Sequence, residues 1–341
     1  SFVYRDHKQD LERQIYYLNR MLELDPADPG VYNGLAYAYW GVGDLDQAIW
    51  AINQAIRLSP EEPNPYDTRG EFYAWKGDLD KAIESYAKAE ERRPGFSILK
   101  IGHMHLFKGN YARAESCYLA AASGDDKWGR SAARCFVAVV PMYQGKFQEA
   151  LALLDDAIGA DQMEQTLGLR YGDKYRLAAG IYLELGDYDR AIELARLRRD
   201  ALTMAQPGNA EYRYQFYVHV LALAGRVEEA WEELRSYEQI VGSDNSALPY
   251  SYYLEKGNIF RAAGQPDSGI IYLEKALEAA PAPYFHVRHM LGEAYLEIGR
   301  VDKAVDVLEQ AIISYDDARV LVPVRAAKSY HLLGQALSLI H

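Results

Sequence analysis

Glycine returns along this 341-residue chain at Gly43, Gly77, Gly109, Gly145, Gly186, Gly225, Gly264 and Gly299, each time inside the same phrase. Residues 66–94 read YDTRGEFYAWKGDLDKAIESYAKAEERRP, and residues 32–60 read YNGLAYAYWGVGDLDQAIWAINQAIRLSP. The glycines are 34, 32, 36, 41, 39, 39 and 35 residues apart. Self-similarity at such a period marks a helical repeat array, in which each repeat buries its apolar face only against its neighbours. A core of that kind grows lengthwise, so chain length does not count domains here.

Each repeat reads as two helices. Pro29 suits a helix start, and Tyr32, Leu35, Ala36 and Tyr39 then recur at the spacing of an amphipathic helix. Gly43 and Asp44 break it, glycine accepting the left-handed conformation and Asp capping the second helix. That second helix carries Leu45, Ala48, Ile49, Ile52, Ala55 and Ile56 on one stripe and stops at Ser59-Pro60. Ala36 and Ala48 are small enough to let the two helices approach closely.

These features resemble the tetratricopeptide repeat, and the resemblance runs over nearly the whole chain. The family pattern is matched by Tyr66, Gly70, Tyr73, Gly77, Ala82, Tyr86, Ala89 and Pro94 in the second repeat. Tyr253, Gly257, Phe260, Gly264, Leu273, Ala276 and Pro281 match in the seventh, where Gly269 replaces an Ala; Leu291, Gly292, Tyr295, Gly299, Ala304, Leu308 and Ala311 match in the eighth. The middle is looser, with His105 and Pro141 where Tyr is usual. Spacings near 40 imply longer helices or loops around residues 159–172, 201–211 and 240–250. The resemblance implies an all-α fold, a right-handed α-α superhelix (solenoid) of about eight helical hairpins. Residues 29–318 would hold eight repeats, with partial repeats as single helices in residues 1–26 and 319–341.

Composition narrows the partners. Lys and Arg total 37 against 49 Asp and Glu, a formal net charge of −12. Such a surface repels a phosphate backbone, so neither nucleic acid nor an anionic membrane is expected as the main partner. No apolar run is long enough to span a bilayer. Cys117 and Cys135 form neither a disulfide framework nor a zinc motif; reduced thiols favour the cytoplasm, with the periplasm as the alternative. The opening SFVYRDHKQD, without an initiating Met or a signal-peptide core, reads as part of a longer protein.

Catalytic signatures are sparse. Gly41-Val42-Gly43 ends a helix instead of following a strand, Gly145-Lys146 lacks a P-loop, and neither a Gly-x-Ser-x-Gly elbow nor a His-Glu-x-x-His helix occurs. His286 and His289 are close enough to share a metal but have no third ligand, and no metal or other cofactor is expected. Asp67 and Glu71 share a helix face, as a catalytic carboxylate pair would, and equally as a polar ligand site or a hydrated face would.

In the tetratricopeptide repeat family the first helices line an inner groove that holds peptides or partner helices. Carried over repeat by repeat, that groove comprises Asn33, Tyr37 and Trp40, then Asn64, Asp67, Glu71 and Trp75, then Leu99, His103 and Phe107. Cys135, Val139 and Tyr143 come next, then Arg176, Gln215 and His219, Asn258 and Arg261, and His289 and Glu293. Two readings are open for Trp40, Trp75, Phe107 and Tyr143: ligand anchors, or spacers between adjacent first helices. The family's co-chaperones clamp a terminal carboxylate with Lys and Asn where this chain has Asn33 and Tyr37, and the next repeat supplies Asp67 and Glu71, which would repel it.

The expected function is a non-enzymatic scaffold that binds a peptide or protein partner in the groove. Asn64-Pro65-Tyr66-Asp67 followed by Gly70-Glu71-Phe72-Tyr73 is similar to repeats in sensor arms of prokaryotic signalling proteins. An assembly or transport adaptor is the alternative, and an enzyme built at Asp67 and Glu71 is a third class.

Overall fold

A computed structural model describes residues 2–205, 210–241, 248–280, 285–312 and 323–340. Helices and short turns account for the described residues, with no strand among them. The chain divides into two compact units, residues 1–124 and 125–341. The first contains α1 (Phe2–Leu24) and the hairpins α2–α3 (Pro29–Gly41, Leu45–Leu58), α4–α5 (Pro63–Trp75, Leu79–Arg92) and α6–α7 (Ile98–Phe107, Tyr111–Ala122). The second contains α8–α9 (Lys127–Tyr143, Phe147–Glu164), α10–α11 (Leu169–Glu184, Tyr188–Ala205) and α12–α13 (Ala210–Leu223, Val227–Val241). It continues with α14–α15 (Tyr250–Ala262, Pro266–Ala279), α16–α17 (Phe285–Glu297, Val301–Ile312) and a last helix, α18 (Pro323–Ile340). The run of repeats expected over residues 29–318 is thus distributed over two units. Pro281, the end of that run beyond residue 312, and residues 319–322 of the expected last helix lie outside the described residues.

The turn inside each hairpin is a helix stop and a helix start compressed into two residues. All eight recurring glycines have φ between 72° and 87°. At Gly43 the amide donates to Trp40 O and the next amide, of Asp44, donates to Tyr39 O, both at 2.9 Å, which satisfies two carbonyls left open at the end of α2. The Asp44 carboxylate then accepts from Gln47 N at 3.1 Å and starts α3. A Cβ on Gly43 would meet nothing within 4 Å, so the glycine answers to backbone conformation and not to space.

The motif glycines inside the first helices answer to space. A Cβ on Gly70 would lie 2.5 Å from the Tyr86 ring, and one on Gly102 2.5 Å from the Tyr118 ring. In the last two hairpins leucine replaces the ring: Gly257 faces Leu273 and Gly292 faces Leu308. Gly269, the departure from the family alanine, stands with its carbonyl oxygen 2.9 Å from where a Cβ on Gly257 would be, so two glycines let α14 and α15 meet backbone to backbone. Alanines complete each hairpin: Ala48, Ala82, Ala114, Ala150, Ala191, Ala230 and Ala304 are wholly buried. The wider glycine spacings are taken up mainly by helix length, since α8 to α11 have 17, 18, 16 and 18 residues against 13 and 14 in α2 and α3.

A buried ionic network joins α8, α9 and α10. Lys174 and Asp161 are wholly buried, with Lys174 Nζ donating to Asp161 Oδ2 at 2.6 Å and to Ser131 O at 2.9 Å. Arg134 donates to the other Asp161 oxygen at 2.7 Å and to Glu164 at 2.9 Å. Its hydrogen bond to Arg134 keeps the Glu164 carboxyl down at about 2. Burial works to raise Asp173, but Arg176 and Arg170, each 3.1 Å away, outweigh it and the net shift is downward.

Two outcomes are expected from these contacts. Gly70→Ala drives a methyl into the Tyr86 ring and should cost about 1–3 kcal/mol of stability, measured by urea denaturation, with partial recovery in Gly70→Ala/Tyr86→Leu. Because Glu164 and Asp173 titrate lower in the folded chain than in the unfolded one, their stabilisation is complete above the ordinary carboxylate range. It is lost as the pH falls from about 4 through the folded values, that of Glu164 being about 2. Circular dichroism melts across that window should show the decline, and Arg134→Ala should flatten it.

Candidate functional site

The first helices α2, α4 and α6 present one continuous polar and aromatic wall in the first unit. Tyr37, on α2, is 40% exposed, and its hydroxyl lies 3.2 Å from Thr68 Oγ1 and 3.4 Å from Glu71 Oε2 on α4. Its ring meets Phe72 edge-on at 5.7 Å. Burial raises the phenol above its ordinary value, the Thr68 hydrogen bond opposing and Glu71 adding to the rise. One turn along, Trp40 and Trp75 meet edge to face at 5.7 Å, both half-buried. Trp40 also packs against the cluster of Leu35, Ala48, Ile52 and Phe72, the contact that the spacer reading expects.

Asp67 and Glu71 are not an open acid pair. Lys100, from α6, donates 2.6 Å to Asp67 Oδ2 and also bonds Glu71 Oε1. Burial works against the Lys100 charge, but the carboxylates of Glu71 and Asp67 outweigh it and hold the ammonium above its ordinary value. Ser97 Oγ donates to the other Asp67 oxygen at 2.6 Å. Ser97 stands at the start of α6, where its hydroxyl would ordinarily cap the helix; it makes no cap bond and turns to Asp67 instead. One ammonium thus bridges both carboxylates and ties α6 to α4.

The remaining expected groove residues are distributed unevenly. Asn33 is half-buried, with an Oδ1 that finds no hydrogen-bond partner, Asn64 is exposed, and Phe107 and Tyr143 are half-buried. His103 is 3% exposed, and its Nδ1 meets Tyr118 Oη at 2.9 Å within its own hairpin. In the second unit the first-helix side chains are committed to one another. His219 Nδ1 lies 3.0 Å from Glu255 Oε2, to which Asn258 also donates at 3.1 Å, all three wholly buried. Arg261 reaches Glu293 at 2.8 Å and Glu297 at 3.0 Å, and Arg176 donates to Asp173. His286 and His289 turn to different neighbours: the His286 ring lies 5.8 Å from that of His219, while His289 Nδ1 lies 2.7 Å from Ser329 Oγ. Burial pushes the Cys135 thiol up to about 11. Among the described residues no three His, Cys, Asp or Glu side chains gather as a metal site, and no helix is long and apolar enough to cross a membrane.

Lys100, Ser97 and Thr68 are the residues of the first wall that sequence reasoning missed. Lys100 and Thr68 each lie one position from a residue assigned to the groove, Leu99 and Asp67 respectively, and Ser97 lies two positions from Leu99. The signal for Lys100 was available, since a lone cation one repeat away from two acids sharing a face is a candidate counter-ion.

The family models agree with this repeat architecture. Family models described as tetratricopeptide repeat match residues 33–95 and 141–203, and residues 260–321, together more than half of the chain. No curated protein sequence matches the chain. Similar solved structures include MamA, at 19% identity and a TM-score of 0.40, covering 47% of this chain and 93% of that one. The Cut9–Hcn1 hetero-tetramer of the APC/C aligns at 16% identity and a TM-score of 0.42, covering 95% of this chain and 52% of that one. A tetratricopeptide repeat protein from Parabacteroides merdae aligns at 14% identity and 0.39, covering 91% and 98%. Repeating helical hairpins, left-handed glycine turns and the matching residues place this chain in the tetratricopeptide repeat family.

Proposed function

We propose that the chain is a non-enzymatic interaction scaffold, and that the α2–α4–α6 wall of the first unit binds a peptide or an extended segment of a partner protein. The observation that carries this reading is the exposure of Tyr37 beside the Trp40–Trp75 pair and the Asp67–Glu71–Lys100 cluster. The Asp67 and Glu71 carboxylates, held by Lys100, share this wall with two indoles. That combination suits the cationic side chain of a Lys or Arg, held by charge and by ring faces together. A regulatory part of a signalling protein and an adaptor that holds subunits together would both use such a surface.

Selection of a displayed random-peptide library on the purified chain tests the proposal. Lys- or Arg-bearing peptides should be enriched, and Trp75→Ala should weaken the best of them by about 1–2 kcal/mol with helicity unchanged. Glu71→Gln should weaken binding and reduce its dependence on salt. Enrichment of wholly acidic peptides, or affinity indifferent to Tyr37→Ala, Trp75→Ala and Glu71→Gln alike, would remove this wall from consideration.

A further inference from the structure

The first helices of the second unit form a series whose last member returns to its first. α8 meets α10, α10 meets α12, and the succession continues through α14 and α16 to α18, which touches α8 again. Lys328 Nζ on α18 donates to Glu184 Oε1 at the end of α10, 2.7 Å away and 144 residues apart in sequence.

α18 is two-sided. Ser329 and Ala336, seven residues apart, are wholly buried, Ser329 against His289. Leu332 and Leu333 pack against the cluster containing Leu254, Leu291 and Leu308. Those contacts are what a terminal helix needs to cover α16 and α17. Lys328, about 100° round the helix from Ser329, makes the further contact to α10, which a simple end cap does not require. Val139, at the α8 position equivalent to Tyr37 in α2, is wholly buried where Tyr37 is 40% exposed.

The geometry points to α18 as a latch: an intramolecular ligand that closes the first-helix wall of the second unit and excludes a partner helix until it is displaced. This rests on the reading that first-helix walls bind partners, and adds that one wall is held shut by the chain's own amphipathic helix. The partner that fits the opened wall is an amphipathic helix carrying a Lys or Arg where Lys328 meets Glu184. A partner of that kind acts by shifting the balance between a shut and an opened second unit.

Hydrogen–deuterium exchange on the 341-residue chain tests the latch. Ala336→Asp places a carboxylate at a wholly buried position of α18, and Glu184→Lys sets two ammonium groups against each other without touching the apolar face. The latch requires faster exchange in residues 135–143 of α8 and 176–184 of α10 in both variants, with protection restored in Glu184→Lys/Lys328→Glu. Faster exchange confined to α16 and α17 in Ala336→Asp, with no change in Glu184→Lys, would reduce α18 to an end cap and overturn the proposal. A fluorescent synthetic peptide of residues 323–340 should bind the Ala336→Asp chain saturably and the parent chain not at all. Lys328→Glu in that peptide should weaken binding by about two- to fivefold, the scale of a partly exposed ion pair. Absence of peptide binding to the opened chain would also overturn the latch. Library peptides selected on the purified chain for the first wall should bind parent and Ala336→Asp chains equally, so their failure bears on the first wall alone.

Discussion

The close approach of two helices at a residue without a side chain is the contact on which the rest of this structure depends. Where Gly70 faces the Tyr86 ring, the first helix of the hairpin sits against the ring instead of standing off by a methyl group. The buried alanines on the facing helix keep the same distance elsewhere along the pair. With the hairpin angle set in this way, the first helices of neighbouring hairpins come within side-chain reach. Tyr37 can then touch Thr68, and Lys100 can touch both Asp67 and Glu71. The α2–α4–α6 wall is a consequence of small residues that are nowhere on it.

Helix positions were legible because they depend on local chemistry repeated eight times. A glycine at positive φ ends the first helix in all eight turns, and in three of them an aspartate follows it and caps the next helix. The longer hairpins in the middle were legible as spacing, and the structure assigns most of the extra residues to helix. The division into two units was not, because the step from Ala122 to Lys127 carries turn residues no different in kind from those between other repeats.

Pairings between repeats were harder to read, for a physical reason. The family pattern says which helix face turns inward, but a charge on that face has a choice of neighbours on the next helix and the next turn. Asp67 and Glu71 were legible as a pair of acids on one face, while Lys100, which neutralises most of their chemistry, comes from a helix more than twenty residues away. His219 and Asn258 were legible as facing inward, and Glu255, which binds both, was assigned no role. Lys174 and Asp161 were missed altogether, since a wholly buried ion pair is a long-range match between α9 and α10 that no periodicity announces. The two walls therefore differ in kind: the first keeps Tyr37 exposed and Trp40, Glu71 and Trp75 half-exposed, and the second turns its polar groups on itself.

A stack of hairpins that is free at both ends behaves like a soft spring, since each joint yields a little and the terminal members fray independently. The return of α18 to α8 and α10 converts the second unit into a loop, in which tension applied at one joint is shared around the circumference. Such a hoop is stiff where the spring is compliant, and it opens at one seam instead of stretching at every coil.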